Sequence, residues 1–252
     1  MKNLLSLLAA AALLIVISKS IDLVSGFGSS PAQQSSTAAQ TSGRPSEGIA
    51  AAPPTGVISL DRNFYVVVDG SGSMDERGCA GQFRTRIDGA KWAVKQFTEQ
   101  NVPPDVNLGL YVFDRAGSGE RVSLGKGNRR EVVAAIDRVD AGGNTPLNGS
   151  IQAAVTQLAA QRDRQLGYGE FFVVVATDGA ATDGDLATNA MPFASRHGIG
   201  IITIGFCLAA QHPLATGSIS YRNANSPEEL LSALKETQGE SPYFDQAVFR
   251  NN

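Results

Sequence analysis

The sequence predicts a doubly wound α/β sheet, mostly parallel, with helices on both faces. Three observations carry that prediction. Apolar runs rich in β-branched and aromatic residues recur, as in Phe64-Tyr-Val-Val-Val68 and Val173-Val-Val-Ala-Thr-Asp178. Continuous runs of this kind, closed by glycines and polar turns, are strands buried on both faces. Longer segments with apolar residues at helical spacing lie between them, and strand–helix alternation is the pattern of a doubly wound sheet.

In chain order, residues 63–69 read as the first strand. Residues 87–100 read as a helix, with Ala90, Val94 and Phe97 at helical spacing. Residues 106–114 are a strand, 121–124 a short edge strand, and 129–139 a helix. Residues 147–160 are a helix with Ile151, Val155 and Leu158 on one face. Residues 170–177 and 200–206 read as buried strands, separated by a helix over 186–195. A weak strand at 219–221 leads into a last helix, capped by Ser226 with Pro227 at its first position. Trp92 and most of the phenylalanines are expected in the core. There is no internal repeat.

Behind the first strand stands Asp69-Gly70-Ser71-Gly72-Ser73. One carboxylate and two hydroxyls, all hard oxygen donors, converge within one turn. That donor set suits a small hard cation such as Mg²⁺ rather than zinc, which prefers nitrogen and sulfur. The run is also ordinary turn chemistry. Two further segments favour a site. Gly142-Gly-Asn-Thr145-Pro146 puts a hydroxyl at the start of a helix, and the strand at 170–177 runs into a second carboxylate, Asp178. Ligands in doubly wound sheets bind beyond the carboxyl ends of the strands, where the strand order reverses.

Asp69, Ser71 and Ser73, then Thr145, then Asp178 resemble the metal-ion-dependent adhesion site of von Willebrand factor type A domains. The resemblance covers residues 59–238 and implies that family's Rossmann-like fold, with the Asp69 and Asp178 strands side by side. It implies Ser71 and Ser73 as direct ligands of Mg²⁺, with Mn²⁺ or Ca²⁺ as alternatives. Asp69 and Asp178 would act largely through bound water, and Thr145 would join in the ligand-competent state. The open metal position would accept a Glu or Asp carboxylate from a protein partner. The expectation is therefore a binding module and not an enzyme. A metal-dependent hydrolase and a structural scaffold of an envelope complex are the alternatives. Against the hydrolase, the sequence has only His197 and His212 as histidines, no Gly-x-Ser-x-Gly elbow and no phosphate-binding loop. Asp75, Glu76, Asp183 and Asp185 would repel an acidic partner unless offset. Arg77, Arg84 and Arg86 could offset Asp75 and Glu76 by pairing with acidic groups, or be solvated; Asp183 and Asp185 also read as solvated loop and helix-cap residues.

Residues 1–26 read as an export signal: Lys2 precedes an apolar stretch over 4–17. That stretch is short for a span of about 20 residues. Extending it to Val24 requires Lys19 and Asp22 to snorkel. A cleaved signal peptide and an uncleaved anchor both stay open, the anchor favoured. Residues 27–58 are a linker rich in Ser, Ala, Pro and Gly, unable to bury a core, and 239–252 form a tail. The expected location is extracytoplasmic, membrane-anchored or secreted, periplasmic or at the cell surface. Cys79 and Cys207 are the only cysteines, and in an oxidising compartment they are expected to form a disulfide on the carboxyl-end rim. The net charge of −3 and scattered basic residues exclude nucleic acid as a main partner.

Overall fold

A computed structural model of the chain describes residues 56–208, 213–215, 218 and 220–239. The export segment, nearly all of the linker, the tail beyond Gly239 and His212 lie outside them. No helix among the described residues is long and apolar enough to cross a membrane.

Among the described residues six strands form one sheet: β1 (Arg62–Asp69), β2 (Asn107–Asp114), β3 (Gly117–Gly125), β4 (Glu170–Thr177), β5 (Gly200–Phe206) and β6 (Ser220–Ala224). Their order is β3-β2-β1-β4-β5-β6. Of these described pairs, β2–β3 alone is antiparallel. The chain leaves β1 toward β2 on one side and later returns to β4 on the other. The strand order therefore reverses at β1, where Asp69 and Thr177 end neighbouring strands.

Alternation along β1 divides the core. Phe64, Val66 and Val68 face a layer that includes α1 (Arg86–Gln100), α2 (Arg129–Asp137) and α5 (Pro227–Glu236). Tyr65 and Val67 face α3 (Leu147–Arg164) and α4 (Ala190–Arg196). Each fully buried phenylalanine or leucine in these layers contributes roughly 1.5–3 kcal/mol of transfer free energy. Trp92 is only half-buried, packed on the first layer and against Phe83 with ring centroids 5.5 Å apart.

The helix starts are set by side chains. Thr85 accepts the Asp88 N–H ahead of α1, and Ser226 accepts the Glu229 N–H ahead of α5. Each satisfies one of the amide donors a helix leaves unpaired at its start. The cap of α3 comes from a distant loop: Asp183 accepts the Asn148 N–H at 3.0 Å and the Gly149 N–H at 2.8 Å. Asp185 accepts the Ala187 N–H in its own turn.

The observed bounds match the expected ones at β4 and β5 and differ elsewhere. The edge strand is longer than 121–124: β3 runs Gly117–Gly125 because antiparallel pairing with β2 holds it, although only Val122 is buried. The helix expected over 186–195 starts at Ala190. Residues before it are turned by bonds from the Thr188 hydroxyl and the Asn189 amide to the Asp185 carbonyl. The strand expected at 219–221 is β6, Ser220–Ala224.

Candidate functional site

The loop after β1 is held against its neighbours by backbone bonds. Gly70 donates its N–H to Phe113 O at 2.8 Å, and its own carbonyl accepts the Gly142 N–H at 2.8 Å. Gly72 donates to Gly143 O at 3.1 Å. A side chain at Gly70 would not fit: a Cβ there would lie 2.9 Å from both Asp114 Cβ and Val139 Cγ1. The loop of residues 140–146 is thereby fixed beside the turn that carries the two serines.

Asp69 is fully buried. Its Oδ1 accepts the Ser71 N–H at 2.8 Å, and its Oδ2 accepts the Thr177 hydroxyl at 2.6 Å. Burial, and then the neighbouring Asp178 charge, raises its pKa to about 6, against the bonds from Ser71 and Thr177. Ser71 Oγ lies 3.1 Å from Ser73 Oγ, and Ser73 Oγ donates to Asp178 Oδ1 at 2.6 Å. Four of the five expected residues are thus joined by hydrogen bonds across the ends of β1 and β4, with Ser71, Ser73 and Asp178 linked oxygen to oxygen. Thr145, the fifth, sits on the adjacent loop, and its Oγ1 is 3.7 Å from the Cβ position at Gly179. Its backbone is pinned to the third loop: Thr145 N–H donates to Thr182 Oγ1, and Thr182 N–H donates to Thr145 O.

Two further residues belong to this cluster. Thr177 orients Asp69 from the end of β4, and its only trace in the sequence is a hydroxyl closing an otherwise apolar run. Arg86, the first residue of α1, is the second. Its NH1 contacts Asp178 Oδ2 at 3.0 Å, its NH2 contacts Glu76 at 2.8 Å, and its Nε donates to Gly78 O at 2.9 Å. The pairing with Glu76 accords with the sequence, whereas the pairing with Asp178 was not legible there. Arg84 pairs instead with Asp88, one helical turn on.

Cys79 and Cys207 form the expected disulfide, with Cα atoms 5.7 Å apart. Both take positive φ, 59° in each case. The bridge joins the loop carrying Gly78 to the segment after β5. Cys207 is also held by its N–H donating to Ala224 O at 2.7 Å.

The donor set suits a hard divalent cation. Ser71, Ser73 and Asp178 present oxygen atoms within hydrogen-bond distance of one another, which is the ligand type that Mg²⁺ selects. No cluster of three or more His, Cys, Asp or Glu that could hold a metal occurs among the described residues; this site has two carboxylates and otherwise hydroxyls. His197 ends α4 with Nδ1 2.9 Å from Phe193 O. It precedes β5 and so lies toward the amino ends of the strands, away from this rim.

Solved structures of low sequence identity share the fold. The pilus adhesin SpaC from Lactobacillus rhamnosus GG aligns over 73% of this chain with TM-score 0.56 and 18% identity. The chain spans about a third of that adhesin, 31%. The vWF domain of the type V pili tip protein Mfa5 from Porphyromonas gingivalis aligns over 77% of this chain and 96% of its own, with TM-score 0.56 and 12% identity. Proximal thread matrix protein 1 from the mussel byssus, solved with a zinc-occupied MIDAS motif, aligns over 71% of this chain and 47% of its own, with TM-score 0.53 and 18% identity. No curated protein sequence matches. A sequence model of the von Willebrand factor type A domain matches residues 63–251, and with the sheet order above it shows that the chain belongs to the von Willebrand factor type A domain family.

Proposed function

We propose that the domain is an extracytoplasmic protein-binding module. It holds one divalent cation, Mg²⁺ in the first instance, at Asp69, Ser71, Ser73, Thr145 and Asp178. Through that ion it captures a carboxylate of a partner protein. The observation that supports this most is the oxygen chain Ser71–Ser73–Asp178, with spacings of 3.1 and 2.6 Å, at the reversal of strand order. When bound, the cation supplies Lewis-acid attraction for an anionic group; hydroxyl ligands are neutral and leave its charge incompletely offset.

The protein's own groups prepare for that. Asp69 orients the turn through the Ser71 N–H, Thr177 fixes Asp69, and the Thr145–Thr182 bonds hold the second and third loops together. Among fold relatives, two are pilus proteins and one was solved with zinc in this type of motif. They support a binding role and a divalent ion in kind. The disulfide accords with an oxidising compartment outside the cytoplasm, and the membrane anchor expected from residues 1–26 would tether the module there. A hydrolase would need a general base within reach, and among the described residues the histidine, His197, lies away from the rim.

Calorimetric titration of the metal-stripped domain with Mg²⁺ tests the first half. Binding of one ion, lost in a Ser71→Ala/Ser73→Ala variant, is expected. Absence of heat with Mg²⁺, Mn²⁺ and Ca²⁺ alike would overturn it. For the second half, capture of an identified partner should vanish in EDTA and in Asp178→Ala, with no product formed.

A further inference from the structure

We propose that Arg86 is a resident cation of the metal site. It limits how tightly the site takes a divalent ion and leaves the loaded site with positive charge for an acidic group. This rests on the metal-binding reading above.

Arg86 is held in part by groups outside the proposed ligand set, Glu76 and the Gly78 carbonyl. It opens α1 directly after the Thr85 cap, and its side chain is 13% exposed. All three guanidinium nitrogens are engaged, by Asp178 Oδ2, Glu76 and Gly78 O. Asp178 is correspondingly divided: Oδ1 takes the Ser73 hydroxyl and Oδ2 takes Arg86, and its side chain is 0% exposed. Asp69, by contrast, accepts from neutral donors among the described residues, the Ser71 N–H and the Thr177 hydroxyl.

Among the described residues, two buried carboxylates and one guanidinium leave the inner cluster one charge negative. Glu76 adds less, because its side chain is 61% exposed and water screens it. A divalent ion then makes the inner cluster net positive instead of neutral. The fixed positive charge opposes the ion, and in a site shielded from water that repulsion is weakly screened. The same charge draws in an anion once the ion is bound. Arg86 thereby also counters Asp75 and Glu76, which would otherwise repel an acidic partner.

Calorimetric titration with Mg²⁺ of wild type, Arg86→Gln and Arg86→Lys tests this. Arg86→Gln removes the charge and is expected to tighten Mg²⁺ binding about tenfold or more. Arg86→Lys keeps the charge but not the planar fork, and should stay within about threefold of wild type. Unchanged or weaker binding in Arg86→Gln would overturn the proposal. Should Arg86→Gln fail to fold, Arg86→Lys decides: near-native affinity supports a role for charge, and a tenfold loss shows that fork geometry governs and overturns it. Absence of Mg²⁺ binding by wild type would remove the metal reading itself, a separate failure.

Discussion

Thr177 donates its hydroxyl to Asp69 Oδ2 at 2.6 Å, joining the carboxyl ends of the two central strands inside the protein. The same hydroxyl oxygen lies 3.1 Å from Gly179 O and 3.2 Å from Gly179 N. Asp69 is thus a buried acid held in place by neutral partners, with a second carboxylate nearby. Its ionised form is costly in the metal-free domain.

Asp69→Asn should therefore stabilise the metal-free domain at pH 7 while abolishing Mg²⁺ binding. The raised pKa, about 6, bounds the gain at about 3 kcal/mol, from 1.36 kcal/mol per pKa unit. Urea unfolding in EDTA measures it. A less stable Asn variant would show that the Thr177 bond outweighs the relief of buried charge.

The pH dependence has a definite sign. The unfolded chain releases the Asp69 proton near pH 4 and the folded domain near 6. In that window the folded state holds more protons, so this group makes the metal-free domain less stable as pH rises. The stability advantage of Asp69→Asn over wild type should grow from pH 4.5 to 7 and level off above. Parallel curves for the two proteins would contradict the assignment. Mg²⁺ affinity should fall below about pH 6, by up to tenfold per unit for a single proton.

Reduction of Cys79–Cys207 should destabilise the domain by up to about 4–5 kcal/mol, because the bridge closes a loop spanning 128 positions. Guanidinium unfolding with and without reductant gives the value. Mass spectrometry of exported protein should show no free thiol. Two alkylatable thiols in folded, exported material would contradict the bridge.

Gly70→Ala should cost about 1–3 kcal/mol and weaken Mg²⁺ binding, since its methyl group would meet Asp114, Val139 and the Phe113 carbonyl at 2.9–3.0 Å. Thermal unfolding and calorimetry report the two effects. A silent substitution would mean that the loops can part without consequence.

The legible parts of this molecule are those governed by local pattern. β4 and β5 read to the residue because runs such as Phe171–Ala176 are apolar on both faces. β3 read short because a solvated edge strand of glycine and polar residues carries no such run; its pairing comes from β2. α4 read long because Leu186 continues the apolar spacing, although Asp185 turns the chain there. In the site, Asp69, Ser71, Ser73 and Asp178 were legible from their position behind apolar strands. Arg86 was not legible as a neighbour of Asp178, because the pairing spans 92 positions and depends on the angle at which α1 leaves its cap.

The placement of the serines has a mechanical consequence. Residues 56–61 lead directly into β1, and Ser71 and Ser73 follow that strand within a few residues. In the proposed tethered state, a pull between that end and a partner held at the rim would travel along one covalent backbone segment, paired on either side with β2 and β4. The helices and the outer strands would not be in series with that load.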